Sequence, residues 1–368
     1  MKSTETKRAQ ILEPTAANIQ LAARILKQGG LIAMPTETVY GLAGNAFEAG
    51  SLSKIFLTKE RPTFDPLIVH IAPEQATLAD LMREQLIYPH DLSDAAIKRI
   101  DTLIRKFWPG PLTLVLPKSE LVPDLATSGM ETVAIRAPKH PVARALIKEL
   151  GLGVCAPSAN RFGRISPTSA ADVMEELGDR IDIILDGGPC EIGLESTILR
   201  ITEDGEPILL RPGVVSREEI EALLGTKVLD PRETPEGAAQ VAPGRLVSHY
   251  SPAKPFMILP NPIALMMTPP TFGTAKPKKV GLLTLFGKAS LAAETLAEIL
   301  EIPVIAESLS ESGNWEEAAR NLFKKLRALD ASEADFLVTE PVPPAAVESN
   351  GIAYAIADRL KRAAGPKL

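Results

Sequence analysis

Cysteine is scarce in this chain: 368 residues contain only Cys155 and Cys190. Two thiols cannot build a disulfide framework, and no Cys/His spacing for a structural metal accompanies them. Long apolar runs are missing too. The longest, over residues 255–260 and 280–286, fall far short of the roughly 20 residues that a bilayer-spanning helix needs. No basic segment followed by an apolar one opens the sequence, so no signal peptide is expected. Basic charge is not in excess either. The formal net charge is -6, which argues against a protein that coats nucleic acid non-specifically, although a local basic cleft fits within an acidic chain. With 45% hydrophobic and 23% charged residues, the composition is that of a soluble globular protein. A reducing cytoplasm is the expected compartment.

Familiar catalytic signatures are absent as well. There is no G-x-x-x-x-G-K-[ST] loop, no H-E-x-x-H and no G-x-S-x-G. Ser51-Leu52-Ser53-Lys54 has S-x-x-K spacing without the partner motifs of that enzyme class, and it reads as a helix start. An enzyme built this way would work by positioning and by stabilising charge.

What is present divides the chain in two. Its length suits two domains, expected over 12–225 and 255–368 with a linker or lid over 226–254. In the first part, strands are expected at 31–34, 67–71, 112–116, 132–136, 153–156, 181–185, 196–201 and 207–210. Helices are expected at 17–27, 52–59, 94–107, 142–150, 170–177 and 217–224, the last opened by a Ser216/Glu219 capping box. Pro231, Pro235, Gly237, Pro243, Gly244 and Pro252 punctuate the linker. Strands at 256–259, 280–285, 303–306 and 336–339 then alternate with helices at 291–300, 315–329 and 352–362. Such alternation predicts a parallel α/β sheet, Rossmann-like in topology only, because no G-x-G-x-x-G follows the first strand. Residues 260–279 read as a loop.

Polar residues gather where strands end. In Pro35-Thr36-Glu37-Thr38-Val39-Tyr40-Gly41-Leu42, hydroxyls and a carboxylate follow a strand, as a capped turn or as a site. Lys59 and Arg61 close a helix, where cations complement the dipole or else clamp phosphates. Ala156-Pro157-Ser158-Ala159-Asn160 and Ser166-Pro167-Thr168 lead into a helix start that suits an anion, or simply a capping Thr168. Asp186-Gly187-Gly188, Glu195-Ser196-Thr197 and Arg211-Pro212-Gly213 complete the set, with Arg211 a lone arginine at a strand end, read as a surface residue or a ligand. Cys155 and Cys190 read as packing residues, Trp108 as part of a turn, and His249 as lid packing or a ligand contact.

Together, P-T-E-T-V-Y-G-L, K-x-R-P…P-L-I-V-H, W-P-G-P-L-T, A-P-S-A-N, D-G-G, E-S-T and L-R-P-G resemble the YrdC-type threonylcarbamoyl-AMP synthases in their two-domain form. The resemblance runs from about Gly29 to Pro252 and implies a twisted mixed sheet with helices in the N-terminal domain. It implies a cytoplasmic nucleotidyltransferase that converts L-threonine, bicarbonate or CO₂ and ATP to threonylcarbamoyl-AMP and pyrophosphate. The product would feed a downstream transferase that modifies the tRNA adenosine next to the anticodon. By resemblance, threonine would be held by Thr38, His70, Arg136, the backbone of Ala156, and Ser196. ATP, with Mg²⁺, would be held by Arg61, Asp65, Thr132, Ser158, Ser166, Arg211 and Tyr250. Lys59, Arg61 and Asn160 would serve the chemistry, and no protein side chains are assigned to the metal. The family often has asparagine at the position of Asp65, whose charge would repel triphosphate unless Arg61 or Mg²⁺ compensates. Two alternatives accompany this reading: carbamoyl transfer in hydrogenase maturation, whose acylphosphatase and zinc-finger modules are absent, and an RNA-binding or ribosome-assembly module with weak RNA contact.

Overall fold

A computed structural model describes residues 8–72, 77–83, 86–88, 92–229, 249–259 and 277–365. The described residues fall into two compact units. The first runs to Phe162 and includes Ser166–Glu191 and the chain from Glu195, while Gly163–Ile165 and Ile192–Leu194 group with the C-terminal unit. The ends of the expected linker part company: 226–229 belong to the first unit and 249–254 to the second, and 230–248 lie outside the described residues.

Among the described residues, ten strands form the first unit's sheet. They are β1 (Gln10–Leu12), β2 (Ile32–Met34), β3 (Gly41–Asn45), β4 (Ile68–His70), β5 (Leu112–Pro117), β6 (Thr132–Arg136), β7 (Val154–Cys155), β8 (Ile183–Leu185), β9 (Thr197–Ile201) and β10 (Pro207–Arg211). Their order is β1-β8-β2-β3-β7-β4-β6-β5-β9-β10. The pairs β1–β8, β8–β2, β4–β6 and β5–β9 are parallel and the rest antiparallel, so the sheet is mixed, as the resemblance implies.

Helix Ala16–Lys27 shows how the sequence specifies this layer. Thr15 accepts from the amide of Asn18, which satisfies an orphan donor at the helix start. Ala22, Ala23 and Leu26 then recur on one face and are buried with helix Pro141–Leu150 against residues of β2, β3 and β8. Truncating Leu26 to Ala would cost about 2–5 kcal/mol. The Ser216/Glu219 capping box is present. The next helix upstream corrects an expectation: its cap is Ser169, boxed with Asp172, while Thr168 only supports Asp172 from one residue before.

Strand β3 was not expected, because Gly-Leu-Ala-Gly-Asn is poor strand material. The reason for its small residues lies in packing. A Cβ at Gly44 would fall 2.7 Å from Ser51 Oγ and 2.9 Å from Leu31 Cδ2. Ser51 Oγ also accepts from the Asn45 amide, and Lys54 Nζ donates to the Gly29 carbonyl, so S-x-x-K is structural here.

The second unit has a parallel four-stranded sheet of β11 (Phe256–Ile258), β12 (Val280–Phe286), β13 (Val304–Ser310) and β14 (Phe336–Thr339), in the order β11-β14-β12-β13. Helices Ala289–Leu300, Trp315–Ala331 and Gly351–Ala363 accompany it. Tyr250 is buried in this unit. Its ring lies 5.4 Å from that of Phe323, His249 meets it edge-on at 4.1 Å, and the Arg359 guanidinium sits 5.6 Å above its face.

Candidate active site

Topology brings the chemistry of the first unit to strand ends. Strands β4 and β6 run parallel with His70 beside Arg136, so both side chains close neighbouring strands at the same edge. The turn after β2 faces them. Thr36 Oγ1 accepts from the amides of Thr38 and Val39, fixing this turn, and lies 2.8 Å from Thr38 Oγ1. The capped turn and the site are therefore one structure. Arg136 donates to Thr38 Oγ1 at 2.8 Å and to the Gly110 carbonyl at 3.2 Å, and its Nη2 lies 2.7 Å from Glu37 Oε1. Burial raises the Glu37 carboxyl, but the Arg136 guanidinium, together with the backbone amides of Glu37 and Lys139, outweighs it and holds the group below the usual carboxylate range.

His70 is fully buried. Burial first, and then the Arg136 charge, press its pKa down to about 3. Nδ1 lies 3.1 Å from the Ile68 carbonyl, an acceptor only, so Nδ1 carries the proton and Nε2 keeps its lone pair. The Ala156 amide is occupied, donating to the same carbonyl at 3.2 Å.

A second cluster sits where the chain enters β4. Lys59, read from sequence as either a dipole complement or a phosphate clamp, is buried and donates from Nζ to the carbonyls of Ser158 and Asn160, each at 2.5 Å. Burial, then the neighbouring Arg61 charge, lower its pKa well below the ordinary lysine value. Arg61 donates to the carbonyls of Asp65 and Pro66 and pairs with the Asp65 carboxylate at 2.9 Å. Asp65 thus faces an arginine, which answers the repulsion its charge would otherwise cause. Continuing the β4–β6 register by two residues sets Thr132 level with Pro66. Thr132 and Arg136 therefore mark opposite ends of β6, about 13 Å apart at the strand rise.

A third cluster corrects the reading of Arg211 as a lone strand-end arginine. It is buried, donating from Nε to the Ser196 carbonyl and from Nη2 to Ser196 Oγ, both at 3.1 Å. Ser196 Oγ also lies 2.7 Å from Thr113 Oγ1. Gly213 is required nearby, since a Cβ there would fall 2.5 Å from the Thr197 amide nitrogen. Ser166 Oγ donates to Glu195 Oε1 at 2.6 Å.

Backbone contacts join these clusters. The Tyr40 amide donates to Pro167 O, the Leu42 amide to Pro157 O, and the Ala159 amide to Tyr40 O, which draws the Ser158 and Ser166 segments against β3. The Trp108–Pro111 turn, pinned by Trp108 Nε1 on the Leu112 carbonyl, receives Arg136 on Gly110 O and the Thr197 amide on Pro111 O. The Tyr40 hydroxyl donates to Gly188 O at 2.7 Å and accepts from the Gly187 amide, holding Asp186-Gly187-Gly188. Cys155 and Cys190 are buried free thiols.

Sequence reasoning omitted Glu37, Tyr40, Thr113 and Glu195 as site residues. The signal was within reach for all four, because Glu37 and Tyr40 sit inside P-T-E-T-V-Y, Thr113 closes W-P-G-P-L-T and Glu195 opens E-S-T. Tyr250 belongs to the second unit. Among the described residues, no group of three or more His, Cys, Asp or Glu side chains could hold a metal ion, and no helix is long and apolar enough to cross a membrane.

A family model described as "Telomere recombination" matches residues 24–213, and one described as "Threonylcarbamoyl-AMP synthase, C-terminal domain" matches residues 215–365. The chain is 38% identical over 354 residues to a threonylcarbamoyl-AMP synthase of Bacillus subtilis, covering 95% of this chain and 94% of that one. It is 38% identical over 355 residues to the enzyme of the same name from Pyrococcus abyssi, covering 95% of each. The crystal structure of P. abyssi Sua5 complexed with L-threonine aligns at a TM-score of 0.73 and 33% identity, over 97% of this chain and 96% of that one. Both segments, their order and the two-unit architecture agree, and the chain belongs to the threonylcarbamoyl-AMP synthase family.

Proposed function

We propose that this chain is a cytoplasmic nucleotidyltransferase that consumes L-threonine, bicarbonate and ATP and releases threonylcarbamoyl-AMP and pyrophosphate. The observation that carries this reading is the arrangement of two buried clusters at the two ends of the β4–β6 pair, each built on an arginine paired with a carboxylate, the Arg136 cluster suited to an amino acid and the Lys59 and Arg61 cluster to a polyphosphate. Arg136, beside Thr38 and His70, has the planar fork that matches a carboxylate. The neutral His70 ring offers Nε2 to the threonine hydroxyl. Lys59 and Arg61 would face the phosphates, with Ser158, Ser166 and Thr132 ordering the nucleotide. Asn160 is placed by Lys59, which holds its carbonyl.

Chemically, the threonine amine adds to bicarbonate to give N-carboxy-threonine and water. A carbamate oxygen then attacks the α-phosphorus of ATP, and pyrophosphate leaves. No covalent enzyme intermediate is needed. The chain supplies proximity and fixed positive charge toward phosphate oxygens. Mg²⁺ enters this scheme with ATP, held mainly by its phosphates, as is usual for that ion. The adenylate would pass to a transferase that modifies tRNA. An RNA-binding role alone leaves the buried cluster of Thr38, His70 and Arg136 without a purpose.

The test is pyrophosphate release with ATP, bicarbonate and each amino acid in turn. Release should depend on L-threonine and fall sharply with serine or alanine. Release indifferent to the amino acid would refute the proposal.

A further inference from the structure

The Glu37 carboxylate is nearly fully buried, and its Oε1 pairs with Arg136. Beyond that ion pair, neither of its oxygens has a hydrogen-bond partner among the described residues. The backbone amides of Glu37 and Lys139 lie near enough to favour its charged form, without hydrogen-bond geometry. A buried carboxylate oxygen left without a donor is costly and calls for an explanation.

The surroundings narrow that explanation. Glu37 precedes Thr38 in the turn that faces Arg136, so it belongs to the end of the sheet assigned above to threonine. Besides Arg136, the titratable groups that interact with it include His70 and His140, and burial lowers the pKa of both rings, which leaves them neutral at neutral pH. This strand-end cluster then holds one positive and one negative group, 2.7 Å apart. An α-amino acid carries the same two charges in the same proximity, with opposite placement. Arg136 has N–H donors beyond those directed at Gly110, Thr38 and Glu37, so a second carboxylate can join it without displacing the first.

We infer that Glu37 receives the α-ammonium group of the amino-acid substrate while Arg136 receives its carboxylate. This rests on the assignment of the pocket to threonine and adds a residue that selects zwitterions over simple hydroxy acids. It also accounts for a buried negative charge in a site that must attract a carboxylate. Without an ammonium to bind, a neutral residue beside Arg136 would serve better.

Isothermal titration of the full chain with L-threonine and with 3-hydroxybutyrate, the analogue without the amino group, tests this directly. Wild type should prefer threonine by roughly 30-fold or more, the worth of a charge-assisted contact. In Glu37→Gln that ratio should shrink about tenfold, with ATP affinity unchanged. The inference is overturned if wild type binds 3-hydroxybutyrate about as well as threonine, or if folded Glu37→Gln keeps the full ratio. Should Glu37→Gln fail to fold, as judged by circular dichroism, Glu37→Asp, which withdraws the charge by one methylene, takes its place, and a full ratio in that folded variant likewise overturns the inference. Absence of threonine-dependent pyrophosphate release would instead strike the assignment of the pocket, whereas normal release with an unchanged ratio strikes Glu37 only.

Discussion

Arg61 and Asp65 form an ion pair at 2.9 Å in which each side chain is only 4% exposed. The arginine also holds the carbonyls of Asp65 and Pro66, so it staples the loop that leads into β4. Removing one member of such a pair strands a buried charge. Arg61→Ala should therefore abolish threonine-dependent pyrophosphate release and also destabilise the first unit by about 3–5 kcal/mol. Arg61→Ala/Asp65→Ala should recover most of that stability and none of the activity. Thermal melts beside the pyrophosphate assay separate the two effects. Recovery of activity in the double variant would remove Arg61 from the chemistry.

Lys59 ties two carbonyls of the Ala156–Asn160 segment to the end of the preceding helix. Lys59→Met keeps the aliphatic length and loses both bonds. Each orphaned carbonyl should cost about 1–3 kcal/mol. Amide exchange should rise over residues 156–160, and turnover should fall with it. Unchanged exchange there would show that Lys59 does not hold the loop.

Acid should weaken the fold through His70. Its folded pKa is about 3, against an ordinary value near 6.5. Between these values the unfolded chain takes up a proton that the folded chain refuses, so stability rises with pH and is lost as pH falls from about 6.5 toward 3. The slope from this group reaches about 1.4 kcal/mol per pH unit. His140 contributes with the same sign, its pKa being lowered by burial. Urea melts between roughly pH 4.5 and 6.5, above the range where most carboxylates titrate, should show a shallower slope in His70→Asn than in wild type. Equal slopes would contradict the buried, neutral ring.

Tyr250 offers a separate check on the nucleotide reading. Its ring is packed against Phe323 in the second unit, so Tyr250→Ala should cost about 3–5 kcal/mol there and confuse any kinetic result. Tyr250→Phe keeps the ring and should raise the KM for ATP several-fold with an unchanged melt, as expected for one lost hydrogen bond. An unaltered KM would exclude the hydroxyl from ATP binding.

Much of this architecture was legible in the sequence, because hydrophobic periodicity directly reports which faces are buried. Helices such as Asp94–Phe107 and Trp315–Ala331 and strands such as β6 and β12 stand where the apolar pattern places them. Strand β3 was hidden, since its glycines answer to a close approach by Ser51 and Leu31 that only tertiary structure creates. The candidate site was legible by motif but not by partner. No spacing rule says that Arg136 meets Glu37, which lies far away in sequence, or that Arg211 meets Ser196, 15 residues away, because both meetings depend on how the strands pair. For the same reason Arg211 read as a strand-end residue without partners.

In this scheme one chain joins threonine, bicarbonate and the α-phosphate of ATP. Mass spectrometry of the product made with ¹³C-bicarbonate measures this most directly. Threonylcarbamoyl-AMP carrying the label, formed in step with pyrophosphate, is the expected result. Pyrophosphate accompanied only by AMP, or by an unlabelled threonyl adenylate, would contradict it.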